Sequence, residues 1–409
     1  MLTPPHGKKY RRSLALLASL CFFLSAIEYL IPKPLPFMRI GLANMPLLLA
    51  LDILSPYEFF LLTLLKILGQ GIIGGMILSH VFLFSIAGTL SSALVMFGLR
   101  RLLGKKLIGF AGLGCAGAVV SNCAQLVLAR YLIFGPALRY LAGPFLASGV
   151  VTGVTLGVVC GYFCKYSAWY SQQSSTNTSG INAQALLSDV HTLPSSPSRC
   201  EPLVGQVGRV RLFLNNINAQ GLFVTGLLMV LIFLFSRSLK IRTAQFIFFC
   251  LLAVVFGKKI NLFATVLFSA GIVFFHLLAP FGKVLAVLGP LRITQGGLYA
   301  GIDKAVTISG LVIITRLCVK NSLKLPGTIG SLMGESARIL ELLRERRGMI
   351  YRKRIINSLD RIMLEMETIN LDEPTDDTSV NKQKLNVKSA FLLCAMALIT
   401  LGIKVLFDY

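Results

Sequence analysis

Charge is scarce in this chain, and acid is the scarcer half. Only 14% of its 409 residues are charged, with 17 Asp and Glu against 40 Lys and Arg. Soluble domains carry about a quarter charged residues, so a water-surrounded globule is excluded. No G-x-x-x-x-G-K-[ST] occurs, which excludes ATP hydrolysis by this chain on a P-loop. Clustered metal ligands are missing too. The nine cysteines are scattered, and Cys160 and Cys164 have no His or acidic neighbours in sequence. They read as buried apolar thiols, and no metal or cofactor is expected. What is abundant is grease: 55% of residues are hydrophobic and the mean hydropathy is +0.74. The net charge of +23 sits in clusters between apolar runs. That pattern reads as positive-inside topology and attraction to anionic lipid, with no nucleic-acid signature.

The fold class expected is all-α, a polytopic transmembrane helical bundle in two membrane modules plus cytoplasmic amphipathic helices. Apolar runs cover residues 14–30, 40–54, 57–99, 107–134 and 143–163. The 43 residues of 57–99 would rise about 65 Å as one helix, roughly twice the hydrocarbon thickness. They must fold back, and the glycine-rich stretch 69–80 is the natural break. The N-terminal module, residues 1–165, therefore has six crossings, or five with a re-entrant piece. Residues 1–30 imitate a signal peptide, but with more spans following they read as an uncleaved first helix. Residues 166–220 are polar, rich in Ser, Asn, Gln and Pro, and read as a flexible linker. A second module occupies 221–319, a basic block followed by an acidic linker 320–388, and a final helix 389–409. Lys8, Lys9, Arg11, Arg12, Arg100, Arg101, Lys105 and Lys106 place the N-terminus in the cytoplasm of a cell (inner, cytoplasmic) membrane. Arg237, Lys240 and Arg242 are the misfit, because the same scheme puts them outside.

Ionisable and amide side chains at bilayer depth are functional candidates by default. Glu28, Arg39, Asn44, Lys66, Gln70, His80, Asn122 and Gln125 interrupt apolar sequence. Lys66 and Gln70, four apart, share a helix face, as do Asn122 and Gln125, three apart. Bland readings stand beside the functional one. Glu28 and Arg39 fit the interface, with Arg39 snorkelling to headgroups. Asn122 and Gln125 fit interhelical hydrogen bonding, and His80 a loop at a membrane edge. Lys66, between Leu65 and Ile67, is hardest to explain without a site. Two cations and several amides suit a small solute with an anionic group.

The stretch GLANMP at 41–46, the pattern K-x-x-G-Q-G-x-x-G-G at 66–75 and NCAQ at 122–125 resemble the Gx transporter family, labelled heptaprenyl diphosphate synthase component I. That family is similar to the substrate-binding S components of energy-coupling factor (ECF) transporters. The resemblance covers about residues 13–165. It implies a six-helix module that captures a small solute, with Glu28 offsetting the cations and Arg39, Asn44 and Lys66 facing the solute. Relatives often have lysine at the place of Arg39 and arginine at that of Lys66, so charge is kept while geometry differs.

Residues 288–317, with Ile293-Thr294-Gln295-Gly296-Gly297-Leu298, resemble more weakly the T component of the same transporters. That resemblance implies cytoplasmic coupling helices with short Ala-Arg-Gly-like motifs that dock on ABC-type ATPase subunits. The nearest matches are Ala337-Arg338-Ile339 and Arg346-Arg347-Gly348, so Arg338, Arg346 and Arg347 become the coupling residues. Independently, Ile339, Leu340, Leu343, Leu359 and Ile362 recur at helical spacing, which predicts an amphipathic helix pair. Its apolar face suits docking on a partner or lying on anionic lipid. Transport by an S-like module fused to a T-like scaffold is the expected function. The alternative is a non-catalytic membrane subunit of heptaprenyl diphosphate synthesis. Catalysis by this chain is not expected, since prenyl transfer needs clustered aspartates for Mg²⁺ and diphosphate. Asp376-Asp377 is the only adjacent pair.

Overall fold

The computed structural model describes residues 5–30, 41–73, 75, 77–175, 219–236, 238–257, 262–279, 281–288, 291–318, 327–345, 355–368 and 387–408. Arg39, Arg237, Arg346, Arg347 and the Asp376-Asp377 pair lie outside them. Three described helical stretches are long and apolar enough to cross a membrane: His80–Leu107, Phe110–Tyr166 (divided by a turn) and Gln295–Cys318. The chain is a multi-pass, helical membrane protein.

The first module is built from α1 (Pro5–Leu30), α2 (Met45–Ala50), α3 (Pro56–Ile73), α4 (His80–Leu107), α5 (Phe110–Ala129) and α6 (Leu138–Tyr166). Two breaks have plain causes. Gly41 takes the left-handed conformation at φ 85° and opens a 3-10 turn, Leu42–Asn44, that leads into Pro46 in the first turn of α2. The six residues of α2, all buried, rise only about 9 Å, so the second crossing is a half-helix ending mid-module. The glycine-rich break falls where expected, between Ile73 and His80, and His80 opens α4 rather than sitting in a loop.

Lipid tails give helices no hydrophobic reason to associate, so close backbone approach has to. Gly149, Gly153 and Gly157 form a stripe on α6 that faces α5. A Cβ at Gly153 would lie 2.6 Å from the Gly114 carbonyl oxygen, and one at Gly157 2.3 Å from that of Phe110.

One end of the module gathers its charge. Arg100 forks onto Asp52 at 2.9 and 2.5 Å and donates to the Ile108 carbonyl at 2.9 Å. Lys105 lies 3.5 Å from Asp52, and the Tyr170 hydroxyl donates to it at 3.2 Å. The α2–α3 turn, the end of α4 and the start of α5 are thereby tied together. Burial pushes the Asp52 carboxyl up, but the Arg100 hydrogen bonds and charge, with Lys105 and Tyr170, outweigh it. The group is held below the usual carboxylate range. A depressed folded pKa contributes stability above the unfolded value of about 3.9, and that contribution is lost as pH falls through the folded pKa. Thermal melts in detergent across pH should show Asp52→Asn less stable than wild type at neutral pH. The difference should shrink steadily below about pH 4.

The second module comprises α8 (Ala219–Leu234), α9 (Leu239–Val255), α10 (Leu262–Leu277), α11 (Gln295–Cys318) and α14 (Val387–Asp408). Among the described residues its one departure from an all-α reading is a hairpin, β1 (Val284–Leu288) antiparallel to β2 (Leu291–Thr294), with a register shift between Val284 and Ala286. Thr294 closes it: its hydroxyl accepts from the Phe281 N–H at 3.2 Å and the Gly297 N–H at 3.4 Å, the second bond capping α11. The misfit cations also have an explanation in part. Arg242 is no loop residue. It sits in α9, with Nη1 2.8 Å from both Asp303 carboxylate oxygens on α11 and its Nε donating to the Ser236 carbonyl at 2.7 Å. A charge neutralised within the bundle carries no topological vote. The modules meet through Phe84, Leu126 and Phe134 of the first and Ile272, Ala305 and Ile308 of the second.

Two corrections concern the stretches read as linker and free amphipathic pair. Residues 166–220 are not wholly linker, because α7 (Ala168–Ser175) follows α6 directly, and Trp169 is fully buried. The pair exists as α12 (Gly327–Glu345) and α13 (Ile355–Thr368), and the described part of its apolar stripe packs against the chain's own core. Ile339, Leu340, Leu343, Ile362, Met363 and Met366 join the core of Leu14, Leu17 and Cys21 from α1. Burying each aliphatic side chain is worth about 1.5–3 kcal/mol, so the pair holds on to its own N-terminal module. Polar contacts fix the seat. Arg11 pairs with Glu335 at 3.3 Å, and Arg12 donates to the Met366 carbonyl at 3.1 Å. Asp360 of α13 caps α7, accepting from Ser167 Oγ and, at 3.0 Å each, from the Ala168 and Trp169 N–H groups. Asp360→Ala should cost about 1–2 kcal/mol and speed limited proteolysis near Trp169, with the core helices left intact.

Candidate functional site

Inside the first module lies a cavity of about 50 Å³ lined by polar and apolar groups together. By this measure a single water needs roughly 10–15 Å³, so the space suits a few waters or one small solute. All six helices supply lining. Glu28 comes from α1, Asn44 and Leu48 from the half-helix region, Lys66 and Gln70 from α3, and Ser85, Thr89, Ser92 and Met96 from α4. Ser121, Asn122 and Gln125 come from α5, and Thr152, Gly153 and Leu156 from α6.

Lys66 is 2% exposed and ten residues into α3, about 15 Å along its axis. Its ammonium donates to Asn44 Oδ1. Asn44 is there because the left-handed turn at Gly41 swings the half-helix inward, and the Gly41 N–H donates to Glu28 Oε1 at 3.2 Å. Glu28 is itself 4% exposed, so the interface reading of it is set aside. One turn beyond Lys66, Gln70 donates to Ser25 Oγ and accepts from Ser85 Oγ at 3.2 Å. Across the cavity, Asn122 donates to the Phe145 carbonyl at 2.8 Å, an α5–α6 hydrogen bond of the kind the bland reading foresaw, while also lining the space. Gln125 donates to Ser121 Oγ at 3.1 Å, and its Oε1 is buried with no hydrogen-bond partner among the described residues.

Glu28, Asn44, Lys66, Gln70, Asn122 and Gln125 thus meet in one cavity. Arg39 lies outside the described residues. Sequence reasoning missed the hydroxyls. Ser85, Thr89 and Ser92 are spaced four and three apart on one face of α4, a stripe that was legible in helical spacing. Of the proposed coupling residues, Arg338 is exposed on α12, and the other two fall outside the description.

The cavity-building segment has known counterparts. Residues 17–163 match the family of heptaprenyl diphosphate synthase component I. The match begins within α1 and ends within α6, so the matched segment is the cavity-bearing module. Residues 221–321 match a domain of unknown function, DUF8519, which runs from α8 to just past α11. No curated protein and no solved structure matches the chain.

Proposed function

We infer that the component I segment is a solute-binding module for membrane transport, and that the rest of the chain is the scaffold on which it works. The observation that carries this reading is the cavity between the helices of this module, with a lysine, a carboxylate, amides and hydroxyls converging on it. Such groups are costly in a bilayer and are kept where something polar passes or binds. The solute is small and anionic, drawn by Lys66. The end carrying Arg100 and Lys105 faces the cytoplasm of the cell membrane by the positive-inside rule. The chain is not an enzyme, and ABC-type ATPase subunits supply the energy. They dock on the outward face of α12, where Ala337, Arg338, Glu341 and Arg344 are exposed. The apolar face of that helix is already spent on α1.

A second reading rests on the family description, in which a component I implies a second component. The chain would then be a non-catalytic membrane subunit of heptaprenyl diphosphate synthesis. Affinity purification of the full tagged chain from native membranes separates the two. P-loop ATPases recovered with wild type and lost with Arg338→Glu support transport. Recovery of a prenyl diphosphate synthase subunit without ATPases overturns it in favour of the second reading.

A further inference from the structure

A threonine inside a helix ordinarily satisfies itself by donating to the carbonyl four residues earlier. Thr63, Thr225, Thr243 and Thr315 do so at 2.9, 2.9, 2.8 and 2.6 Å. Thr89 of α4 is an exception. It is 6% exposed and lines the cavity, yet its hydroxyl has no hydrogen-bond partner among the described residues. Gln125 Oε1 is sealed behind the wall, whereas the Thr89 oxygen is not. A buried hydroxyl left unpaired is costly, and an occupant of the cavity that bonds to it relieves that cost. The helix pair fixes where Thr89 stands. α3 and α4 run antiparallel, and the Ser85 hydroxyl donates to Gln70 Oε1 at 3.2 Å, which sets their register. One turn back along α3 from Gln70 is Lys66, and one turn on along α4 from Ser85 is Thr89. Thr89 is thereby level with Lys66, and both line the same space. Ser92 is turned toward α5 instead, since a Cβ at Gly117 would lie 2.8 Å from its Oγ.

We propose that Thr89 is a solute-binding residue, and that its hydroxyl and the Lys66 ammonium hold separate oxygens of one oxyanion on the solute, a carboxylate or a phosphate. This rests on the solute-binding reading above. A hydroxyl offers a directional hydrogen bond and an ammonium a compact charge. Set side by side on neighbouring helices, they suit an anion whose oxygens are spread in space over a monatomic one.

The probes are sodium acetate and sodium phosphate, with sodium chloride at equal ionic strength as the reference. Each is titrated against the melting temperature of the full chain in detergent. Acetate or phosphate should stabilise the wild type beyond chloride, and which of them acts tells a carboxylate site from a phosphate site. Thr89→Val keeps the shape of the side chain and removes its hydroxyl, so its melt without added oxyanion should match wild type. Its half-saturating concentration for the acting oxyanion should rise at least about tenfold, as expected for one lost hydrogen bond to a charged group. Thr89→Ser should restore the wild-type response, which a packing role for the threonine methyl would not predict. If Thr89→Val does not fold, Thr89→Ala carries the comparison. An unchanged half-saturating concentration in the valine or alanine variant overturns the assignment and leaves solute binding standing. A wild type that neither oxyanion stabilises beyond chloride also overturns it, and the solute-retention measurement on Lys66 described in the Discussion then decides the underlying reading separately.

Discussion

Lys66→Met should empty the protein of its solute. The side chain keeps its length and apolar packing, but the cation beside Asn44 is gone. Removing one partner of a buried, hydrogen-bonded charge contact costs about 2–5 kcal/mol of binding, which is roughly 30-fold or more in affinity. The check is to denature the purified full chain, quantify the small molecules released per mole of protein by mass spectrometry, and compare variant with wild type. Lys66→Arg is the informative companion, since it restores charge with a planar, forked donor. It should recover part of the retention, which a purely steric role for Lys66 would not predict. Equal release from wild type and Lys66→Met would remove Lys66 from the site.

Gly153→Leu should both loosen the fold and block the cavity. The first added carbon would already sit 2.6 Å from the Gly114 carbonyl and 2.7 Å from the Ala118 methyl. The remaining atoms of the leucine have no space unless α5 and α6 separate. Overpacking in a dense interior costs about 1–3 kcal/mol and occasionally more. The upper end is expected here because the obstacle is backbone, which cannot rotate away. Gly153 also lines the cavity, so solute retention should fall with the melting temperature. Gly161 lies two turns further along the same helix with nothing within 4 Å of its would-be Cβ. Gly161→Leu should therefore melt near wild type, and a similar loss at both positions would contradict the account of the α5–α6 seam.

The long apolar runs were readable because each is a near-continuous statement of length and hydropathy, and α3, α4, α5 and α11 lie within or close to them. The short second run, broken by Asn44 and Pro46, carried its own sign of irregularity, and it is a 3-10 turn and half-helix. Interior polar groups were readable for the same reason: a lysine between leucine and isoleucine stands out in apolar sequence. Hydroxyls do not stand out, since Ser and Thr are ordinary in membrane helices, and Ser85, Thr89 and Ser92 were passed over. Two things could not be read at all. The partner of an amphipathic stripe is a tertiary fact, and nothing in Ile339 or Leu343 says that α1 covers it. The order in α7 comes from Asp360, about 190 residues away in sequence, while local composition argues for a linker. Arg242 illustrates a third limit. Charge counting treats every cation as a loop residue, and only the pairing with Asp303 shows that this one belongs to the bundle.

The central claim is that the first module encloses a polar chamber and that a solute occupies it. The most direct measurement is a density map of the full chain in lipid nanodiscs, prepared from native membranes without removal of small molecules. The account predicts compact non-protein density enclosed by Lys66, Asn44 and Gln125. A map in which those side chains, with Glu28 and Gln70, point apart toward lipid or headgroups and leave no enclosed space between the helices would contradict it.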